Sequence, residues 1–71
     1  MIVDFYNPVL ALTLNKPYNH INGYMLKQNI KFRLSMEGID IQYLNNEELD
    51  YNAYISDEDL LFLKLKYDID I

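Results

Sequence analysis

The chain has 71 residues with two Gly, no Cys and no Trp, and eleven Asp/Glu against six Lys/Arg leave a net charge of −5. That length allows one domain over residues 1–71 with one small core. The missing cysteines exclude a disulfide scaffold, a thiolate-held metal and a cysteine nucleophile, and so few glycines exclude a glycine-rich phosphate loop. At 51% hydrophobic residues the composition is that of a folded domain. No apolar run exceeds the four residues of Leu60-Leu61-Phe62-Leu63, too short to cross a bilayer. The opening Met1-Ile2-Val3-Asp4 shows neither the basic region nor the apolar stretch of a signal peptide, so cytoplasmic residence is expected.

In chain order, Ile2 to Tyr6 reads as extended, Asn7-Pro8 as a break, and Val9 to Leu14 as a second extended run. Asn15 to Asn22, with Pro17, three Asn and His20, reads as a loop. Gly23 to Lys27 begins a long strand or forms a short one of its own. From Asn29 the chain alternates, with Ile30, Phe32, Leu34 and Met36 on one side and Lys31, Arg33 and Ser35 on the other. Taking Glu37-Gly38 as a two-residue turn pairs Met36 with Ile39, Leu34 with Ile41 and Phe32 with Tyr43, so the spacing predicts a β-hairpin over 30–43.

The spacing of Leu44, Glu47, Glu48 and Tyr51 predicts one short helix near 46–53. Ser56-Asp57-Glu58-Asp59 resembles a helix N-cap followed by acids in the first turn. Beyond it Leu61, Leu63, Leu65, Tyr67, Ile69 and Ile71 alternate, and a helix would scatter them, so at most one helical turn at 57–60 and then a strand to the end are expected. The predicted fold class is α+β and β-rich: a small twisted antiparallel sheet of four or five strands with one short helix.

Charge is segregated along the chain. Residues 1–36 set Asp4 against Lys16, Lys27, Lys31 and Arg33, whereas residues 37–63 hold eight acids and no base. The acids cluster as Glu47-Glu48-Asp50 and Asp57-Glu58-Asp59, interleaved with Tyr51, Tyr54 and asparagines. One reading is a solvated face that maintains solubility. The other is a surface presented to a basic partner, with Glu47, Glu48, Asp50, Tyr51, Tyr54, Asp57, Glu58 and Asp59 as its contact residues. Carboxylates spaced along strands and helices can imitate the phosphates that basic proteins grip with Lys and Arg.

Enzyme chemistry is not expected. His20 is the only histidine, and no second His or Cys completes a zinc site. Asp57-Glu58-Asp59 and Asp68-x-Asp70 lack the spacing of an EF-hand loop. No metal and no cofactor are therefore expected. Lys27, Lys31 and Arg33 with Tyr24 and Phe32 suggest a basic-aromatic strand for single-stranded nucleic acid. Alternation sends Phe32 away from Lys31 and Arg33, and with the net charge this argues against direct nucleic-acid binding.

In being small, acidic, Cys-free and rich in Tyr and Asn, with the Glu47–Asp59 segment at its centre, the chain resembles the host-takeover proteins of bacteriophages, including their DNA-mimic inhibitors. That resemblance implies an inhibitor occupying the nucleic-acid-binding surface of a basic DNA-binding host protein in the host cytoplasm, a histone-like nucleoid protein first among the targets. The alternative is a structural or assembly protein whose sheet edges and tyrosines make contacts without charge mimicry. A core this small also leads us to expect a homodimer, and no membrane partner.

Overall fold

The computed structural model describes residues 1–6, 9 and 23–69. In order these form β1 (Ile2–Asp4), α1 (Gly23–Met36), β2 (Gln42–Tyr43), β3 (Asn52–Tyr54) and α2 (Asp57–Tyr67). The sheet order is β1-β3-β2, antiparallel throughout, with Ile2 opposite Tyr54, Val3 opposite Ala53 and Gln42 also opposite Tyr54. Strand parity sends Val3, Phe5, Ile41, Ala53 and Ile55 inward. There they meet Leu26, Ile30 and Leu34 of α1 and Leu60 and Leu63 of α2 in one buried cluster. The architecture is thus two layers, helices on one face of a small sheet.

Several expectations are corrected. The sheet has three strands among the described residues, not four or five, and two full helices replace the single short one. Residues 46–53 form no helix: 44–51 is the loop between β2 and β3. The hairpin over 30–43 is instead the second half of α1 and its exit into β2, and the terminal strand is α2. The start of the predicted extended run at Ile2 is right, but Tyr6 and Val9 have helical backbone. The remainder of the 9–14 run, the 15–22 loop with His20, and the last two residues lie outside the described residues.

The physical reasons are local. In α1, Leu26, Ile30 and Leu34 recur every four residues on one helix face and are buried, whereas Phe32 and Met36 face solvent. Gly38, at φ +80°, is not a hairpin turn but the left-handed residue that ends α1. The Ile39 N–H donates to the Leu34 carbonyl (2.9 Å) and the Gly38 N–H to that of Ser35 (3.0 Å), while Ile39 and Leu34 pack together in the core. This double-bonded helix ending satisfies carbonyls that would otherwise be left without partners.

α2 begins where the sequence signals it. The Ser56 side chain accepts from the Asp59 N–H at 3.1 Å, acids fill the first turn, and Lys64 and Lys66 fill the last, each complementing the helix dipole. Asp68 ends it in the left-handed region at φ 54°, its N–H donating to the Lys64 carbonyl at 3.0 Å. No helix among the described residues is long and apolar enough to cross a membrane.

The C-terminal ends of the helices are joined through Glu37, which accepts from Lys66 Nζ on one carboxylate oxygen and from the Tyr67 hydroxyl on the other. The Lys66 and Tyr67 hydrogen bonds hold the Glu37 carboxyl below its ordinary range, and the Glu37 bond correspondingly raises Lys66. A depressed carboxylate contributes stability above its unfolded-state pKa of about 4.3 and loses it as pH falls through the lower folded value. Glu37→Gln should therefore lower the melting temperature near neutrality. The gap to the parent should close as thermal melts are taken down through about pH 4 and below.

Candidate protein-binding surface

Strand parity that fills the core leaves the other face of the sheet to solvent. Ile2, Tyr54 and Gln42 form one outward row across β1, β3 and β2, and Asp4 and Asn52 form the next. Ile2 and Tyr54 remain about half exposed at its centre, at 52% and 51%. Both helices pack on the inner face, so none of the described elements covers this row.

Acids ring it. Asp4 ends β1, Asp50 precedes β3, and Asp40 shares a groove of about 340 Å³ with Lys31, Gln42, Tyr54 and Ser56. A second open pocket, of about 440 Å³, lies between Asp4 and Asp50, with Tyr6, Leu49, Tyr51 and Asn52 in its wall. Tyr6 and Tyr51 meet edge to face there, ring centroids 5.0 Å apart. Leu49 stands out at its rim, 84% exposed.

The eight contact residues expected from sequence do not form one cluster. Glu47, Glu48 and Asp50 lie in the loop before β3, and Asp57, Glu58 and Asp59 lie in the turn after it. The seven-residue step from Asp50 to Asp57 is nearly extended, so the groups sit about 20 Å apart. Tyr54 is exposed between them. Tyr51 points the opposite way, 4% exposed, and contributes to the core and to the pocket wall. Asp4, Ile2, Asp40 and Leu49 belong to the face and were not singled out by sequence. Their place depends on which strands pair, although the parity of Val3 and Phe5 already sends Ile2 and Asp4 to the other side.

The loop carrying the first acids is fixed by a buried cation. Lys27, on the inner side of α1 and 3% exposed, donates from Nζ to the carbonyls of Asn45 (3.1 Å) and Glu47 (2.7 Å). Its ammonium lies 4.5 Å from the Tyr43 ring centroid, and the Tyr43 hydroxyl donates back to the Lys27 carbonyl at 2.6 Å. Burial, with the neighbouring Tyr51, pushes the Tyr43 phenol well above its ordinary range, so it stays a donor. Asp50 accepts from the Asn52 N–H (3.0 Å), Asn45 Nδ2 (2.6 Å) and Asn52 Nδ2 (2.8 Å). These bonds, the backbone one foremost, hold its carboxyl below the ordinary range. Asn45 Oδ1 also accepts from the Glu47 N–H at 2.8 Å.

Among the described residues the one ion pair within 4.0 Å is Lys66 with Glu37. Glu47, Glu48, Asp57 and Glu58 are exposed and carry no such counter-charge, and Asp50 has only neutral donors. No three His, Cys, Asp or Glu among the described residues converge as metal ligands. The basic residues expected to line one strand separate on α1: Lys27 turns inward, Lys31 and Arg33 are exposed, and Phe32 faces solvent on another side.

Comparison with known proteins gave no matching family model, no matching curated protein and no matching solved structure.

Proposed function

We propose that the protein is a small acidic inhibitor that docks the outer face of its sheet onto the nucleic-acid-binding surface of a basic host protein. The observation that carries this reading is the ring of Asp4, Asp40 and Asp50, in no ion pair among the described residues, around exposed Tyr54 and Ile2. A contact surface with an apolar and aromatic centre and a charged rim has the anatomy of a specific protein interface. Unpaired acids raise the self-repulsion of a small domain, and a basic partner relieves it. The pocket between Asp4 and Asp50 accepts a Lys or Arg side chain from that partner, its carboxylates meeting the cation and Tyr6 its stem. Binding there excludes nucleic acid because both ligands need the same Lys and Arg groups. A histone-like nucleoid protein is the first target by this reading, and the host cytoplasm the place of action.

Capture from nuclease-treated bacterial lysate on the immobilised protein tests it. The captured protein should be basic and nucleic-acid-binding, and should elute with rising salt, since exposed charges are screened beyond about 8 Å at physiological ionic strength. Asp4→Lys with Asp40→Lys, both exposed on that face, should weaken the complex by about tenfold or more while leaving the fold intact. Asp68→Lys, past the end of α2, should matter less. Equal loss from both, or capture that ignores salt, contradicts the reading.

A second reading has its own observation. Met25, Phe32 and Met36 on α1 and Leu61, Phe62 and Leu65 on α2 are exposed apolar side chains on the solvent sides of the helices. They favour contacts without charge mimicry, as in a structural or assembly protein.

A further inference from the structure

We propose that the solvent face of α2 binds a second copy of the chain, the two helices running antiparallel about a two-fold axis. α2 is apolar on two opposite sides. Leu60 and Leu63 are buried and Tyr67 half-buried on one, while Leu61, Phe62 and Leu65 are 57%, 42% and 78% exposed. At about 100° per residue, Leu60, Leu63 and Tyr67 cluster on one side, and Leu61, Phe62 and Leu65 centre roughly 180° away. An ordinary surface helix has one apolar stripe, and the second is surplus to folding.

The occupant is set by charge. Asp57, Glu58 and Asp59 fill the first turn and Lys64 and Lys66 the last. Asp57 and Lys64 stand seven residues apart on the same flank of the exposed stripe, and so do Asp59 and Lys66 on the other. In an antiparallel pair each flank meets its own copy, so Asp57 of one helix lies beside Lys64 of the other and Asp59 beside Lys66, which keeps its bond to Glu37. A parallel pair would set acid against acid, and its helix dipoles would oppose. Lys64 has no ion pair among the described residues and is available for this contact. A pocket of about 180 Å³ lined by Met1, Asp57, Leu60, Leu61 and Lys64 borders the same flank and receives a leucine of the second copy. The contact is isologous, so it closes at two copies. Because α2 packs on the inner side of the sheet, the dimer leaves both outer sheet faces free. The inference does not rest on the acidic-face reading.

Sedimentation velocity of the full chain tests it. The parent should be dimeric at about 100 µM, an ordinary affinity for a small interface, and the Leu65→Glu protein monomeric with an unchanged helical circular dichroism spectrum. Asp57→Lys and Lys64→Glu alone should each weaken the dimer by about tenfold, because each sets like charges together in both contacts. Mixing the two variants should restore it, because only antiparallel pairing sets the lysine introduced in one copy against the glutamate introduced in the other. A parent that stays monomeric at that concentration overturns the proposal. So does a dimer indifferent to Leu65→Glu, or a mixture that fails to recover. Should Leu65→Glu lose its fold, the mixing experiment decides alone, since both its variants sit at exposed positions.

Discussion

Leu34→Asp should unfold the domain, whereas Phe32→Asp, two residues away, should leave it folded. Leu34 is fully buried in the cluster with Ile30, Ile39 and Ile41, and Phe32 is 61% exposed on the other side of the same helix. An unpaired carboxylate in that core costs more than the roughly 5–15 kcal/mol that holds a small domain together, unless it draws in a proton or water. At Phe32 the same change exchanges an exposed ring for a solvated charge, an effect of about 0.5 kcal/mol. Circular dichroism and thermal melts of the two variants check this. A strand over 29–36 would put both residues on one face and make both substitutions destructive, so loss of fold in both would contradict α1.

The next largest effect is expected at Lys27. Lys27→Met keeps most of the side chain's apolar stem but removes the ammonium that holds the carbonyls of Asn45 and Glu47. Each bond from a charged donor contributes about 1.5 kcal/mol or more, yet Asn45 and Glu47 are exposed residues and water can recover part of the loss. A net destabilisation of about 2 kcal/mol follows, read from the denaturation midpoint at unchanged m-value. Faster hydrogen exchange should be confined to the 44–51 loop, which loses its anchor while the core is untouched. Partner capture should weaken as well, because the loop that loses its anchor carries Asp50, which lines the docking face and is bonded to Asn45. Unchanged stability and exchange would show that the loop stands without its cation.

The fold was only partly legible in the sequence, and α1 shows why. Ile30, Phe32, Leu34 and Met36 satisfy a two-residue period, yet Leu26, Ile30 and Leu34 satisfy a helical one. The outward Phe32 and Met36 supply the apolar residues that make the alternation look complete. Glu37-Gly38 fits either reading, because a hairpin turn and a left-handed helix ending both favour glycine. At α2 the same disguise is produced by Leu61 and Leu65, surplus apolar residues on the solvent side. The Ser56 cap, the acids of the first turn and the lysines of the last were the correct signals, and periodicity should have yielded to them. β2 and β3 are two and three residues long, and alternation cannot be read over so short a span.

The candidate surface suffered from the same errors at one remove. Segregation of charge is a property of the sequence alone, and of the two acidic groups Glu47, Glu48, Asp57 and Glu58 are exposed while Asp50 and Asp59 are half-buried. Placing a helix near 46–53 hid the strand parity that turns Tyr51 inward and Tyr54 outward. Asp4 joins Asp50 around one pocket only because β1 pairs with β3 across most of the chain length, a juxtaposition that no local pattern encodes. Lys27 reads in sequence as one more surface base. Its burial requires the 44–51 loop to fold over the inner side of α1.

Titration of the protein into a preformed complex of its captured basic partner with labelled duplex DNA tests the functional account most directly, with fluorescence anisotropy as the readout. The account predicts that anisotropy falls to the value of free DNA as the protein displaces it, with the Asp4→Lys, Asp40→Lys variant needing a far higher concentration. A stable ternary complex, seen as anisotropy that holds or rises while the protein binds, would contradict it.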